Sequence, residues 1–257
     1  MNEIRTGFIP DIRTTDDFTL GSQKISGEIL QPTRNWMEFL PRPETQLRKI
    51  DSSNCTGEGT SNVLETILKR KFGGEWDFSQ RAIGIAAGTR PPGNSPKKVV
   101  DTIRKIPCMI PELDLPFNDS ITSIEQYYSP DPLVFPLTRK AKQFFNEYKV
   151  GYEFVDYDKE IPEALKISPL GISVYAWEEE NGVYYKPKVV RDGHWAMLYF
   201  TDGQYYVFDS YPPYLKVLRE DFTFEQVMRY SIMKKLQRTY FFGFLSTYFN
   251  VWNRLTK

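Results

Sequence analysis

Three side chains in this sequence have the types that acyl-transfer chemistry needs. They are Cys55 in "IDSSNCTGEGTSNVLETILKR" (50–70) and His194 and Asp209 in "GHWAMLYFTDGQYYVFDSY" (193–211). A cysteine attacks as its thiolate, so it needs a partner or field that takes its proton. An imidazole can take that proton and return it, and a carboxylate beside the ring fixes its tautomer and favours its charged form. His194 is the only histidine among 257 residues, so any imidazole chemistry falls on it. One His and two Cys leave almost no room for a zinc site of the usual N/S kind. No Walker loop and no G-x-G-x-x-G opening a helix after a strand occurs, so neither a metal nor a cofactor is expected.

Local elements must hold these groups. Cys55 sits at the start of a helix over 56–71, with Ser53 or Asn54 as its cap. The free amides and positive dipole end there favour a thiolate and can hold an oxyanion. Gly57 and Gly59 leave the face near the sulfur uncrowded. The same placement also suits a buried, inert thiol at a helix end. In the second segment, Asp202-Gly203 reads as a two-residue hairpin turn. Thr201 then opposes Gln204, Ala196 opposes Asp209 and His194 opposes Tyr211. Asp209 becomes the diagonal neighbour of His194, about 7–8 Å away by backbone and within side-chain reach. A slip of one residue would put the pair on opposite faces and leave an ordinary hairpin carrying two polar groups.

The rest of the chain divides in two. Helical patterns are expected at 56–71, 78–88, 95–107, 136–148 and 159–167. Strands are expected in "GISVYAW", "GVYYKPKVV", "HWAMLYF" and "QYYVFDSY", then a helix in "TFEQVMRYSIMKKLQ" (223–237) and an aromatic strand near 240–250. This is an α+β pattern, a helical first lobe and an antiparallel second lobe with a cleft between them. Residues 1–45 read as an N-terminal arm packed on one domain over 46–257, helical to about 150 and β from about 151. Lys plus Arg equals Asp plus Glu, 33 each, and no basic stripe appears, so nucleic acid is not an expected partner. The longest apolar run, 240–252, is too short and polar to span a bilayer, and the N-terminus lacks a signal-peptide core. A cytoplasmic or virion-associated protein is the expectation.

The two segments together resemble the papain-like cysteine protease family. There a Cys opens the central helix of one lobe, and a His and an Asn lie on strands of the other, about 130–150 residues downstream. Here His194 follows Cys55 by 139 residues and Asp209 by 154. "DSY" at 209–211 stands where the family has Asn-Ser-Trp. "FSQRAI", "EALKISPLGISVYAW" and "NWMEFLPRPETQ" resemble, in the right order, three further family stretches. The resemblance implies a papain-like two-lobe fold and a peptide or protein substrate. It implies a Cys55–His194 ion pair oriented by Asp209. The Cys55 amide, with Gln46, would form the oxyanion hole, and Trp195, Tyr211 and Leu170 would line the cleft. Several residues depart from the pattern. The family's first cysteine is absent, the orienting Asn is Asp209, and the oxyanion Gln position, six before the Cys, is Lys49. Gln46, nine before, serves only if the loop is longer. Cys108, in "IPCMIP", reads as a structural thiol.

Two other readings remain open on sequence alone. The triad order also resembles transglutaminase-like and amidase folds, which transfer acyl groups by the same chemistry. A catalytically inactive papain-fold module in a larger assembly, phage or viral, would also carry these residues, with the N-terminal arm meeting a protein partner.

Overall fold

A computed structural model of the chain describes residues 7–20, 27–129, 134–156, 158–175, 177–187 and 193–235. In chain order its elements begin with β1 (Gly7–Phe8), α1 (Cys55–Phe72), α2 (Gln80–Ala86) and β2 (Gly93–Asn94). Then come α3 (Pro96–Lys105), α4 (Ile124–Tyr128), α5 (Val134–Glu147), β3 (Tyr148–Phe154), α6 (Ile161–Leu165) and β4 (Leu170–Tyr175). The β-rich remainder is β5 (Glu178–Glu180), β6 (Val183–Tyr185), β7 (Gly193–Thr201), β8 (Tyr205–Phe208), β9 (Leu215–Leu218) and β10 (Val227–Lys234). The architecture is α+β: helices first, then an eight-stranded sheet in the order β3-β10-β4-β7-β8-β9-β6-β5. Every pair in that sheet is antiparallel except β6 with β9.

α1 is the central pillar. Its first fourteen residues, Cys55 to Leu68, are all buried, and it packs on β7, β10 and β4. A helix wrapped on all sides has no solvent stripe to advertise, so its small residues make room rather than expose a face. A Cβ on Gly59 would lie 2.8 Å from the Trp195 ring, and one on Gly57 would lie 2.6 Å from the Asn54 amide. The two glycines therefore accommodate packing partners rather than leaving space beside the sulfur, which corrects the sequence-based expectation. α3 follows the expected pattern, with the Ser95 side chain accepting from the Lys98 amide and Pro96 in the first turn.

Within the stretch expected to be helical at 223–237, Val227–Lys234 forms β10 instead. β10 pairs with β3 over seven residues and with β4 on its other side. A central strand buried on both faces shows no alternation, and an apolar run of this kind is easily taken for a helix. The β3 partner itself, Tyr148–Phe154, begins where the fourth expected helix ends. The aromatic strand expected near 240–250 lies outside the described residues.

Residues 7–20 and 27–45 run along the body. Trp36 is fully buried and its indole N–H donates to the Leu165 carbonyl at 2.7 Å. The Leu20 amide donates to Phe154 O, and Arg13 pairs with Asp156 at 2.8 Å. Complete burial of one large apolar side chain contributes about 1.5–3 kcal/mol, so Trp36 is the principal anchor of this segment. Among the described residues, no helix is long and apolar enough to cross a membrane.

Candidate active site

The His–Asp hairpin reaches the expected pairing by a different route. Thr201 pairs with Tyr205 and Phe200 with Tyr206, so three residues, not two, form the turn. A register irregularity between Leu198 and Phe200 then absorbs the extra residue, and Leu198 opposes Val207 and Met197 opposes Phe208. A bulge adds one residue to one strand, so turn and bulge cancel. Beyond it the alignment matches the one drawn from a two-residue turn. β8 ends at Phe208, and Asp209 follows with its amide donating to Tyr214 O at 2.8 Å. The His194 Nε2–H donates to Asp209 Oδ1 at 2.5 Å, and the Ser210 amide donates to the same oxygen at 2.7 Å.

Cys55 is the first residue of α1. Asn54 occupies the cap position, but its side chain donates to Gln80 O at 2.9 Å and the Tyr127 hydroxyl at 3.1 Å. It does not cap the helix, so the first-turn amides remain without a side-chain acceptor beside the sulfur. The Cys55 thiol is in hydrogen-bonding contact with the His194 ring. Since Nε2 faces Asp209, Nδ1 is the nitrogen left for the thiol. Thiol, imidazole and carboxylate thus meet across the junction of α1 and β7. Cys55 and Cys108 are both free thiols, and Cys108 is buried, where desolvation pushes it up to about 12.

The site is closed. Cys55 and Asp209 are 0% exposed and His194 1%. A cleft was the expectation; instead the Trp177 and Tyr211 rings lie 5.8 and 5.3 Å from the His194 ring, and β1 packs beside the Cys55 loop. Gly7 and Phe8 pair in parallel with Gly93 and Asn94 and lie between the Cys55 loop and the start of β7. Gly7 has φ +88°, and a Cβ there would fall 2.3 Å from the Ser53 carbonyl oxygen. Only glycine fits this backbone and this approach. Phe8 stacks on Trp195 with ring centroids 5.8 Å apart and presses on Gly193.

Closure sets the electrostatics. Burial pushes the Cys55 thiol up, and contact with His194 only partly offsets this. The lowered thiol expected from the helix terminus is therefore absent in this closed form, because desolvation outweighs the dipole and the ring. Burial opposes charge on His194, but Asp209 and Cys55 outweigh it and push the ring up to about 10. Asp209 is held below the usual carboxylate range: burial would raise it, and His194 and Lys216 more than compensate.

The remaining sequence-based candidates are placed as follows. Gln46 is fully buried, and its Nε2 donates to the Tyr211 hydroxyl at 2.6 Å and to Asp51 Oδ1 at 3.1 Å. Its Oε1 accepts from the Ser210 hydroxyl at 2.8 Å. An extra turn, closed by a bridge between Leu47 and Asp51, carries Lys49 out to solvent and turns Gln46 inward. The Tyr211 ring lies 5.3 Å from the His194 ring, and its hydroxyl donates to Asp51 Oδ2 at 2.5 Å. Trp195 is fully buried between α1, Gly171 and Phe8. Leu170 is a core residue: it pairs with Leu198, four residues along the sheet from the Val174–His194 pair, roughly 13 Å away. It does not line the cleft, which corrects that expectation. Three groups at the site had no place in the sequence reading. They are Asp51, the β1 segment and Lys216, whose ammonium lies 2.6 Å from Asp209 Oδ2. Lys216 shares a strand face with buried Leu218, and a lysine on an inward phase was the available signal. Among the described residues, no group of three or more His, Cys, Asp or Glu is arranged to hold a metal.

No protein-family model matches the chain, and no curated protein matches it by sequence. Solved structures do. The protease and lectin-like domains of Cwp84, a surface-layer-associated protein of Clostridium difficile, align with a TM-score of 0.64 and 17% identity over 90% of this chain. The chain spans 56% of that structure's length. Bromelain from Ananas comosus aligns with a TM-score of 0.54 and 13% identity over 77% of this chain and 97% of its own. Procathepsin L 3 of Tenebrio molitor aligns with a TM-score of 0.55 and 13% identity over 84% and 70%. The chain has the papain-like cysteine protease fold.

Proposed function

We propose that this papain-fold chain is a cysteine peptidase using Cys55, His194 and Asp209. The observation that carries the reading is the contact of a helix-start thiol with an imidazole whose far nitrogen is 2.5 Å from a buried carboxylate. In this reading residues 46–257 are the catalytic unit, helical to about 150, and residues 1–45 are an arm. His194 Nδ1 takes the thiol proton, and Sγ attacks a peptide carbonyl carbon. The C–S bond forms as the carbonyl π pair moves to oxygen, where the Cys55 amide stabilises it and Gln46 Nε2 joins by releasing Tyr211 or Asp51, which hold both its hydrogens at rest. Collapse breaks the C–N bond, and His194 gives its proton to the departing amine. His194 then takes a proton from water, which attacks the thioester, releases the acid and restores the thiol. Asp209 holds the ring's orientation and tautomer throughout. Cys55→Ala is expected to abolish peptide hydrolysis while leaving the melting temperature near that of the parent, and undiminished cleavage would end this reading.

The thiol is buried and β1 packs beside the loop that carries it, so in this reading β1 is the barrier to the cleft. Gly7→Val cannot keep its Cβ 2.3 Å from Ser53 O and is expected to lift β1 from the cleft. Water then solvates the thiolate, and each unit by which the thiol pKa falls raises its thiolate fraction at neutral pH about tenfold. Iodoacetamide labelling of Cys55 should therefore quicken by about tenfold or more. Labelling no faster than in the parent, in a folded protein, would mean that β1 is not the barrier. An inactive papain-fold module would give slow labelling in both proteins, and a transglutaminase-like enzyme would incorporate amines in preference to hydrolysing peptides.

A further inference from the structure

The Asp209 carboxylate has a second charged neighbour that the triad does not need. Lys216, on β9, is 3% exposed. Its Nζ donates to the Tyr211 and Pro213 carbonyls, both at 2.6 Å, and lies 2.6 Å from Asp209 Oδ2. Two of its three hydrogens go to carbonyls, and the third is left for Oδ2, the carboxylate oxygen turned away from His194. The ammonium also sits over the Trp177 and Tyr184 rings, at 5.5 and 5.4 Å, and Trp177 meets the His194 ring edge-on. A buried lysine costs several kcal/mol unless paired, so its presence beside the triad calls for a partner, and Asp209 is that partner.

We propose that Lys216 is a positioning residue that neutralises Asp209, so that the Asp209–Lys216 pair offers His194 one strong acceptor without an uncompensated charge. The inference rests on the peptidase reading for its consequence but not for its test. In the resembling family a neutral Asn stands at this position. Asp209 with Lys216 amounts to the same thing in charge: an oxygen acceptor for the ring N–H and a net charge of zero. An unbalanced carboxylate would hold the proton on His194 too firmly for it to be given to a leaving amine. Lys216 relieves that hold and, through Tyr211 O and Pro213 O, ties down the turn that follows Asp209. The other ionisable groups facing the pair are the Cys55 thiol from α1, Asp51 and Tyr211 from the flanking loops, and Tyr184 from β6. Among the described residues, Lys216 is the one cation of this set.

Because the chain has a single histidine, an isotopically labelled imidazole gives one titration curve, without assignment. The measurement is made in a Cys55→Ala background, so thiol coupling and activity play no part. Four proteins are compared: that parent, Lys216→Met, Asp209→Asn, and the double variant. The ring midpoint should rise by about one unit in Lys216→Met, where the carboxylate is unbalanced. It should fall in Asp209→Asn, where a lone cation remains, and recover by about one unit when Lys216→Met is added. A midpoint unmoved by Lys216→Met, or the same in Asp209→Asn with and without it, would overturn the proposal and leave Lys216 as a carbonyl clamp. Should Lys216→Met alone fail to fold, the Asp209→Asn pair decides, since neither protein buries an unpaired carboxylate there. With Cys55 intact, Asp209→Asn should lose roughly 10²–10⁴-fold in kcat, and the double variant should regain about tenfold. If no Cys55-intact protein cleaves peptide, the peptidase reading fails while the titration still decides the role of Lys216.

Discussion

Buried carboxylates lie on two sides of α1, and they are in opposite states. On the β7 side, Asp209 is fully buried and held below the usual range, because His194 and Lys216 outweigh its burial. On the other side, Glu58 and Glu65, both on α1 itself, are as deeply buried and pushed far above the usual range. Their neighbours are acids: Glu44, pushed up to about 7, Glu112, pushed up to about 8, and Asp77, with Arg48 and, at Glu44, Arg42 opposing. Burial alone therefore does not decide whether a carboxyl ionises in this fold. The nearest cation does: Lys216 lies beside Asp209 as Arg229 lies beside Glu153, whereas among the described residues no ion pair joins Glu58 or Glu65.

The largest effect expected from this contrast is at Asp209. Asp209→Ala leaves Lys216 buried without its counter-charge and His194 without its acceptor. If the peptidase reading holds, kcat/KM should fall by roughly 10³–10⁴. The fold should also lose about 3–5 kcal/mol, as breaking one partner of a buried pair does. A denaturant titration beside the kinetics separates the two losses. A drop of less than tenfold in kcat/KM would show that the cation-paired side carries no more chemistry than the acid-lined side.

The next effect is one of sign. An acid raised in the fold binds protons that the unfolded chain releases, so its stabilisation is complete below its unfolded pKa and is lost as pH rises through the folded value. For Glu44 and Glu112 that window runs from about 4.5 to about 7 and 8. Asp209 works the other way, contributing above about 3.8 and losing its contribution as pH falls below that. His194, raised to about 10, contributes fully below 6.5 and loses it only as pH climbs towards 10. The melting temperature should therefore peak near pH 5 and fall by several degrees by pH 8. A maximum at pH 8 would mean that the acids around Glu58 are paired after all.

How much of this was legible beforehand follows from the range of each interaction. The His194–Asp209 pair could be drawn from the sequence because a hairpin encodes its own register, and the bulge after Leu198 happened to restore the alignment that a three-residue turn had shifted. The helix after Cys55 was legible from the spacing of Val63, Leu64, Ile67 and Leu68, although the side-chain cap expected before it does not form at Asn54. β10 was not, since seven pairs with a strand some eighty residues earlier overrode a helix-like pattern. Nor was the packing of β1 on the Cys55 loop, because nothing local in "TGFIP" says that Gly7 will lie against Ser53. Lys216 stood on an inward strand phase, but an inward lysine asks for a partner without naming one. Asp209 becomes its partner only when β8 and β9 are joined.

The finest test lies at Glu58, whose Oε2 is buried without a hydrogen-bond partner. A carboxylate so placed would be costly, whereas a protonated acid differs from glutamine chiefly in one donor. Glu58→Gln should therefore change stability by about 1 kcal/mol or less at pH 5, where the native acid is neutral. The difference should grow in favour of glutamine as pH rises, because the unfolded wild-type chain gains free energy by ionising Glu58 and the variant does not. Parallel stability curves for the two proteins from pH 5 to 8 would mean that Glu58 is already charged in the fold. In that case both sides of α1 bury anions, and an unidentified cation would have to lie beside Glu58 as Lys216 lies beside Asp209.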